Sequence, residues 1–183
     1  MTEQPSDPAG TVIETPRLVL RRLSMSDLDA LALLYSDLEV RRYFPDGVRT
    51  YEQTRDELKW IIDVYYVQYG YGLWATVHKD TGDFIGRCGL LPWEIHGRTE
   101  VEVAYLLDKT YWRRGLATEA AAAIVNYAFE TLPVDRLICM VDPENATSRR
   151  VATKVGMTML WDDYVDEFGP THVYAVQRPE ALS

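Results

Sequence analysis

The order of hydrophobic periodicities in the second half of the chain is the feature that most constrains its fold. Residues 100–108 and 136–142 are short apolar runs typical of strands, and they are followed by helical patterns over 115–130 and 145–155. Helices that connect strands bury their apolar sides against the sheet that those strands form. This strand–helix–strand–helix order therefore predicts a mixed α/β domain.

The flanking segments extend the same domain in both directions. The first half of the chain is predicted to hold two helices, one opening at Ser26 with Asp29 as an approximate capping box. The other opens at Thr50 with Gln53 in the same pattern and runs to about Gln68. Further strands are predicted over 17–23, 72–78, 83–91, 157–165 and 172–178, with a looser link over 92–98.

Length and charge bound the class of protein. The chain has 183 residues, and we expect a disordered tail over 1–10 and a single domain over 11–183. The formal net charge of −9 disfavours a nucleic-acid partner, because phosphate contacts need a basic face. The polar N-terminus does not resemble a secretory signal, and no apolar run is long enough for a membrane span. We therefore expect a cytoplasmic protein without membrane contact.

The cysteine pattern gives no sign of a metal centre. Cys88 and Cys139 each lie in an apolar run, and their spacing matches neither a metal site nor a redox motif. Buried reduced thiols are the expected state, a disulfide has no support, and no metal is predicted.

The sequence YWRRGLATEA, residues 111–120, has the features of an anion site. The first turn of a helix leaves amide groups unpaired and carries partial positive charge. Gly115 would let an anion approach the backbone, while Arg113 and Arg114 add charge. The stretch is neither a Walker A sequence nor a GxGxxG motif. A pyrophosphate would fit here, and a solvated loop is the alternative.

A second basic segment lies one strand later, within residues 144–157. Together the two segments hold six of the nineteen basic residues of an acidic chain, namely Lys109, Arg113, Arg114, Arg149, Arg150 and Lys154. Two clusters that flank one predicted strand suggest a single polyanionic ligand, although a solvated face is the alternative.

The chain resembles the GNAT superfamily of N-acetyltransferases, in particular its RimJ/RimL branch of ribosomal-protein N-terminal acetyltransferases. The resemblance rests on RLVLRRL at 17–23, EVEVAYLLDKTYWRRGLATEA at 100–120 and NATSRRVATKVGM at 145–157. It implies a mixed, mostly antiparallel sheet of about seven strands, flanked by about four helices and splayed open between strands 4 and 5. The wider superfamily has Gln or Arg where this chain has Trp112, and an aromatic residue there is similar to the RimJ/RimL branch.

The resemblance also implies acetyl-CoA as cosubstrate and assigns residues to it. Backbone groups of Leu106 and Leu107 would hold the pantetheine amides, and Asn145 matches a position that contacts the same arm. The pyrophosphate would lie on the loop and helix start that comprise Arg113, Arg114, Gly115, Leu116, Ala117 and Thr118.

The implied reaction is acyl transfer from a thioester to a primary amine in a ternary complex. Such a reaction needs a base for the amine and gains from a proton donor to the departing thiolate. Glu102 matches the family's glutamate, and Glu100, two residues away on the same face, is the alternative base. The acid tyrosine common in the superfamily is replaced by Ala152. Ser148 matches the serine of the RimJ/RimL branch and is the candidate donor.

The sequence leaves the acceptor open. It would be a protein N-terminal amine or a small molecule such as an amino acid, a polyamine or an aminoglycoside, and a homodimer is also left open. Four acidic residues near the C-terminus are a candidate attractor for a cationic amine, namely Asp162, Asp163, Asp166 and Glu167. The alternatives to an enzyme are a non-catalytic CoA-binding or regulatory domain and a generic α/β binding domain.

Overall fold

One sheet of eight strands runs through residues 10–166 and 169–179, which are the residues that this computed structural model describes. Its strands are β1 (Thr11–Glu14), β2 (Leu18–Arg22), β3 (Leu73–His78), β4 (Phe84–Ile95), β5 (Arg98–Leu107), β6 (Arg136–Val141), β7 (Thr158–Asp166) and β8 (Gly169–Gln177). They lie in the order β1-β2-β3-β4-β5-β6-β8-β7. The β5–β6 pair is parallel and the other neighbouring pairs are antiparallel. The predicted mixed, mostly antiparallel sheet is thus confirmed.

The helices of the described residues pack against this sheet. They are α1 (Leu28–Tyr35), α2 (Tyr51–Trp60), α3 (Tyr66–Gln68), α4 (Leu116–Thr131) and α5 (Ala146–Lys154). A π-helical segment, Ile61–Tyr65, joins α2 to α3, so the chain forms one continuous helix up to Gln68 as predicted, and four helical bodies in all. The predicted capping box is confirmed, since the Gln53 amide donates to the Thr50 hydroxyl and the Gln53 side chain accepts from the Thr50 amide.

The start of the first helix differs from the prediction. The capping box forms two residues earlier, where the Ser24 amide donates to the Asp27 carboxylate at 2.9 Å. The same carboxylate accepts two hydrogen bonds from Arg21 of β2, at 2.9 and 2.7 Å. This ion pair fixes Asp27 at the strand end, and a 3₁₀ turn over Met25–Asp27 leads into α1.

The strand count and one predicted link are also corrected. β1 was missed because it is four residues long and lies immediately before a tight turn that contains Pro16. The predicted loose link over 92–98 is instead a continuous hairpin, in which β4 and β5 are joined by a two-residue turn. His96 and Gly97 in that turn both have positive φ, as a type I′ hairpin requires. Pro92 is tolerated because β3 pairs with β4 no further than Gly89, so no ladder partner needs its missing N–H.

The predicted splay lies between β5 and β6. β5 pairs with β4 along its whole length, from Arg98 to Leu107, whereas β5 and β6 register at a single position, Glu102 with Ile138. The splay therefore exposes one edge of β5 beyond Glu102, close to where α4 and α5 begin. The predicted tail lies outside the described residues except for Gly10. No helix within the described residues is long and apolar enough to cross a membrane.

Candidate active site

The arginine–glycine loop forms a helix N-terminus with exposed amides. Gly115 has φ of +76° and caps α4, a conformation that glycine adopts without steric strain. The first helical hydrogen bond of α4 runs from the Glu119 amide to the Gly115 carbonyl at 3.0 Å. The amides of Leu116, Ala117 and Thr118 therefore lie ahead of that bond and are available to an anion.

Arg17 holds this loop in place from the start of β2. Its guanidinium donates to the Arg114 carbonyl at 2.8 Å and to the Glu119 carboxylate at 2.6 Å. The Thr15 hydroxyl donates to the other Glu119 oxygen at 2.7 Å. Glu119 lies near the start of α4, and these contacts direct its side chain towards the loop between β1 and β2. The Arg17 guanidinium therefore neutralises the negative charge that Glu119 would otherwise place beside the anion site.

The six clustered basic residues do not all face one site. Lys109 pairs with Asp37 at 2.9 Å and with Glu39 at 3.1 Å, so its charge is already compensated. Arg113 and Arg114 are exposed at the start of α4. The other three line a shallow cavity beside α5, together with Tyr174; they are Arg149, Arg150 and Lys154.

The exposed edge of β5 presents alternate backbone groups to the gap. The Asp108 amide donates to the Ile85 carbonyl of β4 at 2.7 Å, and a Cβ atom on Gly86 would lie 2.1 Å from the Leu106 carbonyl oxygen. Leu106 therefore directs its backbone groups to β4, and the alternation of an antiparallel ladder turns those of Leu107 to the gap. The Leu107 carbonyl accepts from the Trp112 indole at 2.8 Å. Of the two residues predicted to bind pantetheine, only Leu107 faces the gap.

A cleft of about 640 Å³ opens where β5 and β6 separate, a size typical of small-molecule sites. It extends from the gap towards α2 and the segment that precedes it. The predicted residues Glu102, Asn145 and Ser148 line it, together with residues that the sequence did not mark, among them Arg41, Arg87, Trp93, Tyr105 and Cys139.

Glu102 is buried in this cleft with both carboxylate oxygens in contact. The Trp93 indole donates to one oxygen at 2.7 Å, and the Met140 amide approaches the other at 3.4 Å. Its residual exposure is 8%, and burial raises its pKa to about 7. A carboxyl group with that pKa accepts a proton near neutral pH, which is what a general base requires.

Glu100, the alternative base, has a different environment. The Arg136 guanidinium donates to it twice, once at 2.9 Å and once through a shorter contact. Glu100 is 3% exposed and is absent from the described lining of the cleft. The geometry therefore favours Glu102 over Glu100 as the group that meets a substrate.

Ser148 lines the cleft from the first turn of α5, where two neighbours hold it. Its amide donates to the Asn145 side chain at 3.0 Å, which makes Asn145 the N-cap of α5. Its hydroxyl oxygen lies 2.9 Å from the Tyr105 hydroxyl, which also lies 3.0 Å from the Ser148 carbonyl oxygen. Burial raises the pKa of Tyr105 well above its usual value, so the phenol stays protonated. Ala152 is fully buried.

Tyr105 is a polar residue of the site that the sequence patterns did not mark. Its signal in the sequence is the segment Glu102-Val103-Ala104-Tyr105, which resembles the family motif through its tyrosine as well as its glutamate.

Cys139 is a thiol with little nucleophilic character. Burial raises its pKa to about 12, so the thiolate that would attack a thioester is scarce at neutral pH. Both Cys88 and Cys139 are free and buried, as predicted. These properties favour direct transfer to the acceptor over a covalent enzyme intermediate.

The β7–β8 hairpin reaches the cleft through Pro170 and Thr171 of β8, but its described acidic residues are not part of the lining. Asp162 and Asp163 are exposed on β7 and are absent from that lining, while Glu167 and the Asp166 side chain lie outside the described residues. His96 packs on Trp161, with ring centroids 5.1 Å apart, and it too stands outside the described lining.

Comparisons with known proteins agree with this architecture. The model of the acetyltransferase (GNAT) domain matches residues 17–158. The Uncharacterized protein YkkB of Bacillus subtilis is 35% identical over 150 residues, covering 81% of this chain and 86% of its own. The crystal structure of the acetyltransferase from Agrobacterium tumefaciens superposes with a TM-score of 0.78 at 26% identity, covering 97% of this chain and 98% of its own.

A further solved structure shares the fold at lower identity. RimL, a ribosomal L7/L12 alpha-N-protein acetyltransferase in complex with coenzyme A, superposes with a TM-score of 0.74 at 17% identity, covering 91% of this chain and 97% of its own. The family match spans most of the chain and includes the splayed strands, the loop and most of the cleft residues, so this chain is an acetyltransferase of the GNAT family.

Proposed function

We propose that the protein is an acetyl-CoA-dependent N-acetyltransferase that transfers an acetyl group directly to a primary amine. The observation that carries the proposal is the pairing of two proton-handling groups in one cleft. Glu102, with a pKa near 7, and the Tyr105–Ser148 hydroxyl pair both line this cleft.

The residues of the loop fit the phosphates of CoA. The thioester of acetyl-CoA would supply the acetyl group. Its pyrophosphate, at the other end of the molecule, would meet the amides from Gly115 to Thr118 and the charges of Arg113 and Arg114. Leu107 would offer its backbone groups to the pantetheine arm, much as one strand pairs with another. Asn145 lines the same cleft, and its side-chain amide nitrogen is suited to donate to that arm.

The proton transfers use Glu102 and Ser148, which both line the cleft. The neutral amine nitrogen attacks the thioester carbonyl as its proton passes to Glu102, so that a C–N bond forms and the C–S bond breaks. Ser148 would donate its hydroxyl proton to the leaving sulfur, and after the products leave, Glu102 would release its proton to solvent and Ser148 would regain one from solvent. Tyr105, whose phenol stays protonated, would orient Ser148 through their hydrogen bond. The ternary complex needs no covalent enzyme intermediate.

The choice of acceptor and of branch belongs to the same proposal. The sequence resemblance to the RimJ/RimL branch would make the acceptor a protein N-terminus, and small amines are the alternative that the buried charge of Arg87 in the cleft favours. The free cysteines support a reducing, cytoplasmic environment.

A thiol-release assay with acetyl-CoA, run across peptide N-termini and small amines, tests the proposal. We expect acetyl transfer to at least one primary amine class. CoA binding without thiol release for any amine would instead support a non-catalytic CoA-binding domain, the alternative that the absence of the family's acid tyrosine at Ala152 favours.

A further inference from the structure

Arg87 is a buried cation whose charge is not directly matched by a carboxylate. It is 5% exposed and lines the cleft from β4. Within residues 10–166 and 169–179, the hydrogen-bond acceptor of its guanidinium is the Tyr35 hydroxyl, which takes the Nε–H at 2.9 Å. Its two terminal nitrogens have no protein acceptor there. Neither nitrogen is among the fully buried unpaired atoms of the described residues, so both are open to the cleft, where water or an anionic ligand would complete their hydrogen bonds.

The neighbouring carboxylates are already engaged by other arginines. Glu57 accepts from the Tyr35 hydroxyl at 2.9 Å and pairs with Arg49 at 2.6 Å. Asp46 pairs with Arg49 at 2.8 Å and also with Arg41. This connected group therefore sets three guanidinium charges against two carboxylates, and Arg87 is the member without an ion-pair partner.

Arg87 and Glu102 lie on one face of the sheet with little between them. In the β4–β5 ladder Arg87 is opposite Leu106 and Glu102 is opposite Leu91, and directly opposed side chains share a face. The pair between these two positions is Gly89 with Ala104, which offers no side chain larger than a methyl group. The Arg87 charge acts to lower the pKa of Glu102 against the effect of burial, so the two groups interact across this floor.

We propose that the acceptor is a small amino carboxylate, whose amine meets Glu102 and whose carboxylate binds the free nitrogens of Arg87. The inference rests on the proposed function and names its substrate class. Guanidinium binds carboxylate through two parallel hydrogen bonds, which fixes orientation as well as charge. A polyamine would instead place a second cation beside Arg87 and is disfavoured.

The test compares matched acceptors in the thiol-release assay. A series of ω-amino acids of increasing chain length is run beside the corresponding ω-amino amides and diamines. We expect kcat/KM to favour the best carboxylate over its amide by roughly 10- to 100-fold, the factor that a charge-assisted hydrogen bond contributes. Diamines should rank last, and a ratio near one between carboxylate and amide in the wild-type protein would overturn the proposal.

Two variants test whether the preference for carboxylates over amides depends on Arg87. In Arg87→Met the ratio of carboxylate to amide should fall to near one, and in Arg87→Lys it should be intermediate, because lysine keeps the charge but loses the two-pronged geometry. Arg42→Met is the matched control, since Arg42 is exposed and stands outside the described cleft lining. CoA affinity reports folding of each variant. A full ratio retained in Arg87→Met would contradict the inference.

Further experiments distinguish a wrong acceptor class from a variant that does not fold and from a wrong proposed function. Peptides with an acidic first residue are assayed in parallel, and better turnover of these than of any amino carboxylate would overturn the small-molecule class. If Arg87→Met does not fold, the wild-type ratio and competitive inhibition by butyrate against an alkylamine decide the matter. If no amine releases thiol, the proposed function fails, and calorimetry of amino carboxylates with the wild-type and Arg87→Lys proteins decides whether the anion site exists.

Discussion

The Tyr105 hydroxyl lies 2.9 Å from the Ser148 hydroxyl oxygen, across the gap between β5 and α5. A tyrosine has one hydroxyl proton, so Tyr105 donates to one of three neighbours: the Ser148 carbonyl, the Ser148 hydroxyl or the Cys139 sulfur at 3.6 Å. The second arrangement frees the serine proton for the cleft. The pair thus places a proton donor in the same cleft as Glu102.

This pair predicts non-additive effects of mutation. Ser148→Ala and Tyr105→Phe should each lower kcat by about 10- to 100-fold, and the double variant should lose little more than Ser148→Ala, because Tyr105 acts through its hydrogen bond to Ser148. Steady-state kinetics of the wild type, the two single variants and the double variant, with saturating acetyl-CoA, measure this double-mutant cycle. Losses that multiply fully would show that the two hydroxyls act independently.

Replacement of Glu102 should affect the chemical step and leave cosubstrate binding intact. Glu102→Gln keeps the shape but removes the proton acceptor, so kcat should fall by about 10²- to 10⁴-fold while CoA affinity stays within about twofold. Glu94→Gln is the control, because Glu94 is exposed further along β4 and bonds only to Thr99 among the described residues. Wild-type turnover in Glu102→Gln would remove the proposed base.

The raised pKa of Glu102 predicts a pH profile. With an acceptor amine of low basicity, kcat/KM should rise about tenfold per pH unit and level off above about pH 7, where Glu102 is ionised. Because the measured quantity is kcat/KM, the midpoint of the rise gives the pKa of Glu102 in the free enzyme. A profile that is flat between pH 5 and 8, a range of about three units around that pKa, would exclude Glu102 as the titrating base.

The same shift predicts a change in stability. Burial raises the pKa of Glu102 from 4.5 to about 7, so the folded state binds more protons than the unfolded chain between those values. Its contribution to the free energy of unfolding is complete below pH 4.5 and is lost as the pH rises through 7. Denaturant titrations should show this decline, about 3 kcal/mol in all, in the wild type and not in Glu102→Gln.

The elements that the sequence predicted correctly depend on local patterns. The order of strands and helices follows from hydrophobic periodicity. Gly115 stands out in the sequence because a glycine directly before an alanine-rich helix would let an anion approach the backbone. Glu102 and Ser148 came from the family resemblance, and the structure places both in one cleft. Their catalytic roles stay predictions.

The features that the sequence did not reveal depend on contacts between distant residues. Arg17 meets the loop carbonyl of Arg114 across 97 positions, and Arg87 meets Tyr35 across 52. An arginine in a strand has the same local pattern whether it faces water or a buried cleft. The distinction appears only when β4, α1 and the segment before α2 are assembled.

Arg17 should contribute to cosubstrate binding without touching the cosubstrate. Arg17→Gln removes the hydrogen bond to the Arg114 carbonyl and the ion pair with Glu119, which frees the loop and leaves a negative charge beside the anion site. CoA affinity should fall about three- to tenfold, and the fall should be smaller at high salt because screening weakens the Glu119 charge. Arg55→Gln on α2 is the control, as its ion pair is with the adjacent Asp56. An equal loss in both variants would contradict this positioning role.

The most direct test of the account is CoA binding by calorimetry to the wild type, Gly115→Asp and Gly82→Asp. Both glycines have positive φ, of +76° and +73°, so the two substitutions introduce similar backbone strain. Only the first places a carboxylate on the proposed phosphate cradle. The account predicts at least a tenfold loss of CoA affinity for Gly115→Asp and near wild-type affinity for Gly82→Asp. Unchanged affinity in Gly115→Asp would contradict it.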